Sequence, residues 1–98
     1  MKKTGNERVW ELVRKIPKGK VTTYGTIAKK LHMSPRFVGH ALHLNPDGEL
    51  TPCHRVVNRD GRVALGYAFG GAGVQRERLE EEGVKFKDEL HVQSGFII

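Results

Sequence analysis

The sequence predicts a mostly α-helical fold with a small β-hairpin, arranged as a single winged-helix-like or helix-turn-helix domain over residues 1–98. Two observations predict it. In the first half of the chain, apolar residues recur three times with the spacing of an amphipathic helix. From Arg55 the pattern changes to that of strands around a glycine turn. A chain of 98 residues is long enough for one small domain with a modest core.

The first helix is indicated by apolar residues at i, i+3, i+4 and i+7, which are Val9, Leu12, Val13 and Ile16. We expect this helix to run from about Gly5 to Lys15. The following run, Pro17–Lys20, ends it because proline and glycine interrupt helical backbone.

The next two helices each begin with a capping signal. Thr23 is a good N-cap, and helical spacing follows it at Tyr24, Ile27, Ala28 and Leu31. Ser34 is a capping serine with Pro35 at the first helical position, and this third helix should reach about Leu44. Its buried side is expected to hold Phe37, Val38, Ala41 and Leu42. Two short helices joined closely are typical of a helix-turn-helix, although many helix pairs pack this way for structural reasons alone.

The second half of the chain alternates between strand and turn signals. Arg55–Asn58 and Arg62–Leu65 flank Gly61 and predict the β-hairpin. Gly66–Gly73 reads as a flexible loop with two exposed aromatic residues. A short helix is then predicted from Val74 to Glu82, ended by Gly83. Alternation at Val84–Phe86 indicates a short strand, and Phe96–Ile98 is placed to cover an edge of the core.

Charge is concentrated in one part of the chain, whose net charge is +6. Ten lysines and arginines lie between Arg14 and Arg62, against three acids. This region could contact a polyanion or could simply be a solvated basic surface. No secretory signal or membrane-length apolar stretch is visible, and one cysteine in the whole chain fits a reducing compartment. We therefore expect a cytoplasmic protein that spans no membrane.

The most specific motif is Pro52-Cys53-His54-Arg55-Val56-Val57. A thiol beside a histidine can be held partly as thiolate, which is the nucleophilic form. A lone cysteine is otherwise most often a small buried apolar residue. The histidines and this cysteine lack the spacing of known zinc sites, so neither a metal nor a cofactor is expected.

This motif resembles the active-site signature of the O6-alkylguanine-DNA alkyltransferases, also called methylated-DNA–protein-cysteine methyltransferases. These repair proteins move an alkyl group from a damaged guanine to a cysteine. The resemblance extends from Val9 to Phe86 and includes further motifs in the family's order. They are Lys18–Tyr24 with Ile27-Ala28, Arg36–Leu42, Asn45-Pro46 and Glu82-Gly83.

The resemblance implies a catalytic role for four residues. Cys53 would accept the alkyl group, and His54 would act as general base through a water and lower the effective pKa of the thiol. Glu82 would orient the imidazole, although a solvated acid in the run Glu80–Glu82 is the alternative. Tyr24 would donate its hydroxyl to the purine; its alternative is a core helix residue.

The resemblance also implies how DNA is held, with the third helix in the minor groove. Arg36 would fill the space left by a flipped nucleotide, unless it is a phosphate contact or a solvated arginine. Gly39 and Ala41 are small and would let this helix approach DNA closely, and Asn45 would be a structural hinge. The substrate pocket would involve Val56, whose backbone carbonyl would contact the base together with that of Cys53. Either Tyr67 or Phe69 would flank the alkyl group, and the sequence does not choose between them.

Two departures from the enzymes leave the function open. We expect a chain without the extra N-terminal domain that alkyltransferases often carry, and residues 75–84 resemble the short alkyltransferase-like proteins. That branch binds alkylated DNA without transferring the group, marks the lesion for excision repair, and usually has tryptophan where this chain has Cys53. The leading expectation is a single-turnover alkyl acceptor, a monomer acting on double-stranded DNA that contains O6-alkylguanine. The alternatives are a non-catalytic sensor with excision-repair partners and a plain helix-turn-helix regulator.

Overall fold

The computed structural model describes residues 3–64 and 66–98, and it is mostly helical with one small sheet, as predicted. Its elements are α1 (Gly5–Val13), β1 (Thr22–Thr23), α2 (Tyr24–Leu31), α3 (Pro35–His43), β2 (Val56–Val57) and α4 (Gly71–Glu81). Short 3₁₀ turns occupy Cys53–Arg55 and Ser94–Phe96. Within the described residues, no helix combines the length and apolar character needed to cross a membrane.

The helix boundaries follow the local signals in the sequence. The Thr23 hydroxyl accepts from Thr26 N–H, and the Ser34 hydroxyl accepts from Phe37 N–H, so both predicted N-caps are confirmed. Gly83 lies just past α4 with φ +91°, a left-handed conformation that glycine adopts without strain. The fourth helix begins at Gly71, three residues before the predicted start, so the expected loop is shorter.

The predicted hairpin is wrong in its pairing. β2 pairs in parallel with β1, in the register Thr22–Val56 and Thr23–Val57. The turn itself is present, because Gly61 N–H donates to Asn58 O and Asn58 N–H donates to Arg62 O. Arg62 then bridges to His91 instead of continuing a strand, and Leu65, the end of the predicted second strand, lies outside the described residues.

Two apolar clusters form the interior. The first lies between α1, α2 and α3 and extends to Cys53 and Tyr67, so the predicted exposure of Tyr67 is wrong. The second lies between the sheet and α4 and contains Val21, Val57, Val63, Leu79, Val84 and Val92. Trp10 Nε1 donates to Ala41 O at 2.7 Å and fixes α1 against α3.

Of two further predictions about apolar residues, the one for Phe37 is wrong and the one for the C-terminal segment is confirmed. Phe37 is 37% exposed instead of buried; its ring lies over Gly5 on α1. The C-terminal segment does cover the core edge, because Val21 N–H donates to Phe96 O and Ile98 N–H donates to Val21 O. The predicted strand at residues 84–86 is reduced to one isolated bridge between Phe86 and Val92.

Candidate active site

Cys53 lies at the start of a 3₁₀ turn that leads into β2, and only 5% of it is exposed. Its N–H donates to Thr51 O at 2.8 Å. Asn45 Nδ2 donates to the same carbonyl at 2.9 Å, and Asn45 Oδ1 accepts from Asp47 N–H at 3.2 Å. The end of α3 is thus tied to the turn that carries the thiol, the position expected for a hinge residue.

The thiol does not have the environment that the sequence suggested. Burial raises the pKa of Cys53, and the Asn45 amide and the positive charge of Arg78 offset this effect only in part. The resting side chain is therefore a protonated thiol at neutral pH, instead of the partial thiolate expected from the neighbouring histidine. A reaction at sulfur requires a group that removes this proton as the bond forms.

His54 is the adjacent candidate for that group. It is 4% exposed, and its Nε2 lies 3.1 Å from Glu82 Oε1. The contact has hydrogen-bond length but poor alignment, and neither ring nitrogen has a well-aligned partner among residues 3–64 and 66–98. Burial lowers the pKa of His54 although Glu82 acts in the opposite direction. The imidazole is consequently neutral near pH 7 and free to accept a proton.

Glu82 serves two partners at once. Arg55 Nε donates to its Oε1 at 3.0 Å and Arg55 Nη2 donates to its Oε2 at 2.7 Å, while Arg55 Nη1 donates to Ile16 O at 2.8 Å. Burial opposes ionisation of Glu82, but the hydrogen bonds and charges of Arg55 and His54 outweigh it and hold its pKa below the ordinary value. Its neighbours Glu80 and Glu81 are exposed. The solvated-acid alternative therefore describes those two residues and not Glu82.

One face of α4 supports the whole Cys53–Val56 segment. Gln75, fully buried, donates from Nε2 to His54 O at 3.0 Å and to Val56 O at 2.8 Å, and its Oε1 accepts from Ala64 N–H. Gln75, Arg78 and Glu82 follow the i, i+3, i+7 spacing of one helix face. Sequence reasoning missed Gln75 and Arg78, although polar residues at this spacing beside the apolar Leu79 were the available signal.

A small pocket of about 40 Å³ lies at Cys53. It is lined by Tyr24, Gly39, Leu42, His43, Cys53, Gly66, Tyr67 and Ala68. Of the two aromatic candidates, Tyr67 is in this pocket, whereas Phe69 packs on Gly48 with its ring 5.9 Å from that of Tyr67. Val56 is buried and its carbonyl already accepts from Gln75, so a base could use only the second lone pair.

A wider surface groove of about 710 Å³ adjoins this pocket. It is lined by residues 23–26, Lys29, Pro35, Arg36, Gly39, Asn58 and Arg59. Gly39 has open space above it, as expected for close approach, and Arg36 is exposed. Ala41 is fully buried in the core, which confirms its predicted place on the buried side of the helix, so its prediction as a DNA-binding residue is wrong. Tyr24 and Gly39 line both cavities and therefore mark where the groove meets the pocket.

A basic groove along α2 and α3 that leads to a pocket at a buried cysteine is typical of a nucleic-acid-binding protein with a potential nucleophile. Residues 5–84 match the family model described as 6-O-methylguanine DNA methyltransferase, DNA binding domain. The chain belongs to this family.

Its relatives include both long and short proteins. It is 45% identical over 80 residues to the methylated-DNA–protein-cysteine methyltransferase of Thermococcus kodakarensis, a match covering 81% of this chain and 44% of that protein. It is 48% identical over 83 residues to the DNA base-flipping protein of Escherichia coli K12, covering 80% and 60%. The chain thus spans about half the length of the curated relatives it matches.

Solved structures give the same fold. Schizosaccharomyces pombe Atl1, in complex with damaged DNA containing O6-carboxymethylguanine, superposes with a TM-score of 0.80 at 35% identity, covering 95% of this chain and 93% of that one. The O6-methylguanine-DNA methyltransferase of Pyrococcus kodakaraensis KOD1 superposes with a TM-score of 0.73 at 41% identity, covering 84% and 47%.

The buried neutral His54 should make stability depend on pH. Its folded-state pKa lies below the ordinary value of 6.5, so its contribution is fully present above pH ~6.5 and is lost as pH falls through the folded-state pKa. Glu82 contributes in the same direction only at lower pH, below its ordinary value of 4.5. Urea unfolding should therefore show wild type losing stability relative to His54→Gln as the pH falls below about 6.5.

The control is His40→Gln, which changes an exposed histidine on α3 and should keep the wild-type slope. Parallel pH dependences for wild type and His54→Gln would show that the imidazole is not held neutral by burial.

Proposed function

We propose that this protein repairs DNA by taking one alkyl group from O6-alkylguanine onto Cys53, without turnover. The observation that carries the proposal is a buried thiol in a pocket at the end of the groove along α2 and α3, followed in the chain by a buried neutral imidazole that lies 3.1 Å from an ion-paired carboxylate. The membership of the chain in the methyltransferase family supports the same reaction.

The proposed reaction balances as an in-line displacement at the alkyl carbon. A sulfur lone pair of Cys53 forms the S–C bond while the C–O6 bond breaks, and its electron pair stays with the guanine. The proton of the thiol passes through a water to His54, whose positive charge is then offset by Glu82, 3.1 Å away. The product is a stable thioether, so each molecule reacts once.

Tyr24 is suited to stabilise the leaving guanine. Burial, together with the nearby Cys53, raises the pKa of its phenol, so the hydroxyl stays protonated and can donate a hydrogen bond. The residue lies where the groove meets the pocket, next to the space that a flipped base would enter. Donation to the purine would offset the negative charge that develops as the C–O6 bond breaks.

A second candidate function is a lesion sensor that binds O6-alkylguanine and does not react. The near-complete mutual coverage with Atl1 favours it, as does the raised pKa of the Cys53 thiol. In this case Cys53 would only line the pocket, and repair would depend on excision-repair partners.

Intact-mass analysis separates the two functions. Mixing the protein with duplex DNA that contains O6-methylguanine should add one methyl group per molecule, because Cys53 is the single thiol in the chain. The added mass should be absent in Cys53→Ala, which should still bind the lesion. Tight lesion binding by wild type with no mass change would reject alkyl transfer and establish the sensor.

Arg36 is proposed to stabilise the flipped state from the groove. Breaking a base stack costs a few kcal/mol, and this cost exists only in duplex DNA. Arg36→Ala should therefore slow transfer from duplex DNA at least tenfold while leaving reaction with free O6-methylguanine nearly unchanged.

Lys87→Ala is the matched control, since Lys87 is an exposed base outside the groove and should leave both reactions unchanged. Equal losses on duplex and free base in Arg36→Ala would remove the flipping role and point to damage at the pocket.

A further inference from the structure

Arg78 joins the two loops that flank the thiol. It extends from α4, and its Nη1 donates to the Tyr67 hydroxyl at 2.9 Å while its Nη2 donates to Glu49 Oε1 at 2.6 Å. Glu49 precedes Cys53 in the chain, and Tyr67 lines the Cys53 pocket from the other side. One side chain therefore connects the segment before the nucleophile with the segment that covers it.

Packing around Arg78 leaves little freedom. A Cβ atom added at Gly48 would lie 3.3 Å from the Phe69 ring and 3.4 Å from Arg78 Nη1, so the loop containing Gly48 and Glu49 sits directly on both residues. The Arg78 side chain is 24% exposed. Burial, with smaller contributions from Cys53 and Glu49, raises the pKa of Tyr67, while the hydrogen bond and charge of Arg78 act against it. The guanidinium is thus held in place by its contacts.

The charged and titratable groups around Cys53 belong to several different parts of the chain. Tyr24 on α2, His43 on α3 and Tyr67 in the loop before α4 line the pocket with it, and His54 follows it in the chain. Arg78 on α4 is the fixed cation acting on the thiol within the described residues, and it lowers the pKa of Cys53 against the larger effect of burial. Glu49, the ion-pair partner of Arg78, is 88% exposed, so solvent weakens the effect of its negative charge on the charge of Arg78.

We propose that Arg78 is a positioning residue for the reaction at Cys53: it fixes Tyr67 against the thiol and keeps a positive charge beside the sulfur as negative charge develops there. The proposal rests on the proposed function for its purpose, but its physical content is a property of the free protein. In this proposal α4 contributes to the reactivity of Cys53 through Arg78, in addition to supporting the backbone of the Cys53–Val56 segment through Gln75.

The direct test is the pH dependence of Cys53 alkylation by iodoacetamide, measured by intact mass without DNA. Because the chain has one cysteine, every added carbamidomethyl group reports this thiol. Arg78→Gln should raise the apparent pKa of the thiol by roughly half a unit to one unit. This shift is smaller than the one expected from losing an unpaired cation in direct contact with the thiol. Arg78→Lys keeps the charge and should stay close to wild type.

Arg76→Gln is the matched control, because Arg76 is on the same helix but contacts Glu80 and the carbonyls of Asp88 and Glu89. It should leave the thiol pKa unchanged. Tyr67→Phe removes one anchor of Arg78 and keeps the ring, so it should shift the profile in the same direction by a smaller amount.

An unchanged profile in Arg78→Gln, with native circular dichroism, would overturn the proposal. Equal shifts in Arg78→Gln and Arg78→Lys would also overturn it, because the effect would then come from altered packing and not from charge. A wild type that fails to react with O6-methylguanine DNA would reject the proposed function, while the iodoacetamide profiles would still decide the role of Arg78.

Discussion

The site depends on one partly buried carboxylate, that of Glu82. A buried acid is stable only when its charge is paired and its oxygens are hydrogen-bonded, and Arg55 satisfies both conditions with two hydrogen bonds of 3.0 and 2.7 Å. The same carboxylate lies 3.1 Å from His54. Since Arg55 also donates to Ile16 O, the end of α4 is tied both to the turn after Cys53 and to the segment after α1. Losing Glu82 would therefore affect chemistry and fold together.

Burial has opposite effects on the pKa values of the two groups that are proposed to react. It raises the pKa of the Cys53 thiol and lowers that of the His54 imidazole, so the proton resides on sulfur in the resting state. Such an arrangement would suit the proposed single reaction, because an exposed thiolate would be consumed by oxidants and by other electrophiles. In the proposed reaction the thiol would become reactive only during transfer, through the base on the next residue of the chain and the positive charge of Arg78.

The sequence correctly predicted structural features that are set by local interactions, and it missed features that are set by contacts between distant parts of the chain. The caps at Thr23 and Ser34 and the glycine after α4 were correct because each is set within a few residues. The pairing of β2 was wrong because its partner is β1, more than thirty residues earlier in the chain, and no local pattern specifies that choice. The family resemblance predicted that Glu82 acts on His54, and the two side chains lie 3.1 Å apart. The contacts of Arg55, Gln75 and Arg78 arise only when α4 packs behind the cysteine turn.

The central claim is that His54 removes the thiol proton during transfer, and the pH dependence of the single-turnover rate tests it most directly. If the imidazole is the base, the rate of methyl transfer should fall on the acid side as His54 gains a proton and stay nearly level from about pH 7 to pH 8. In His54→Ala the rate should be lower and should rise about tenfold per pH unit, following the small thiolate fraction. A tenfold rise per unit in the wild-type protein across the same range would contradict the account, because the thiolate would then form without the base.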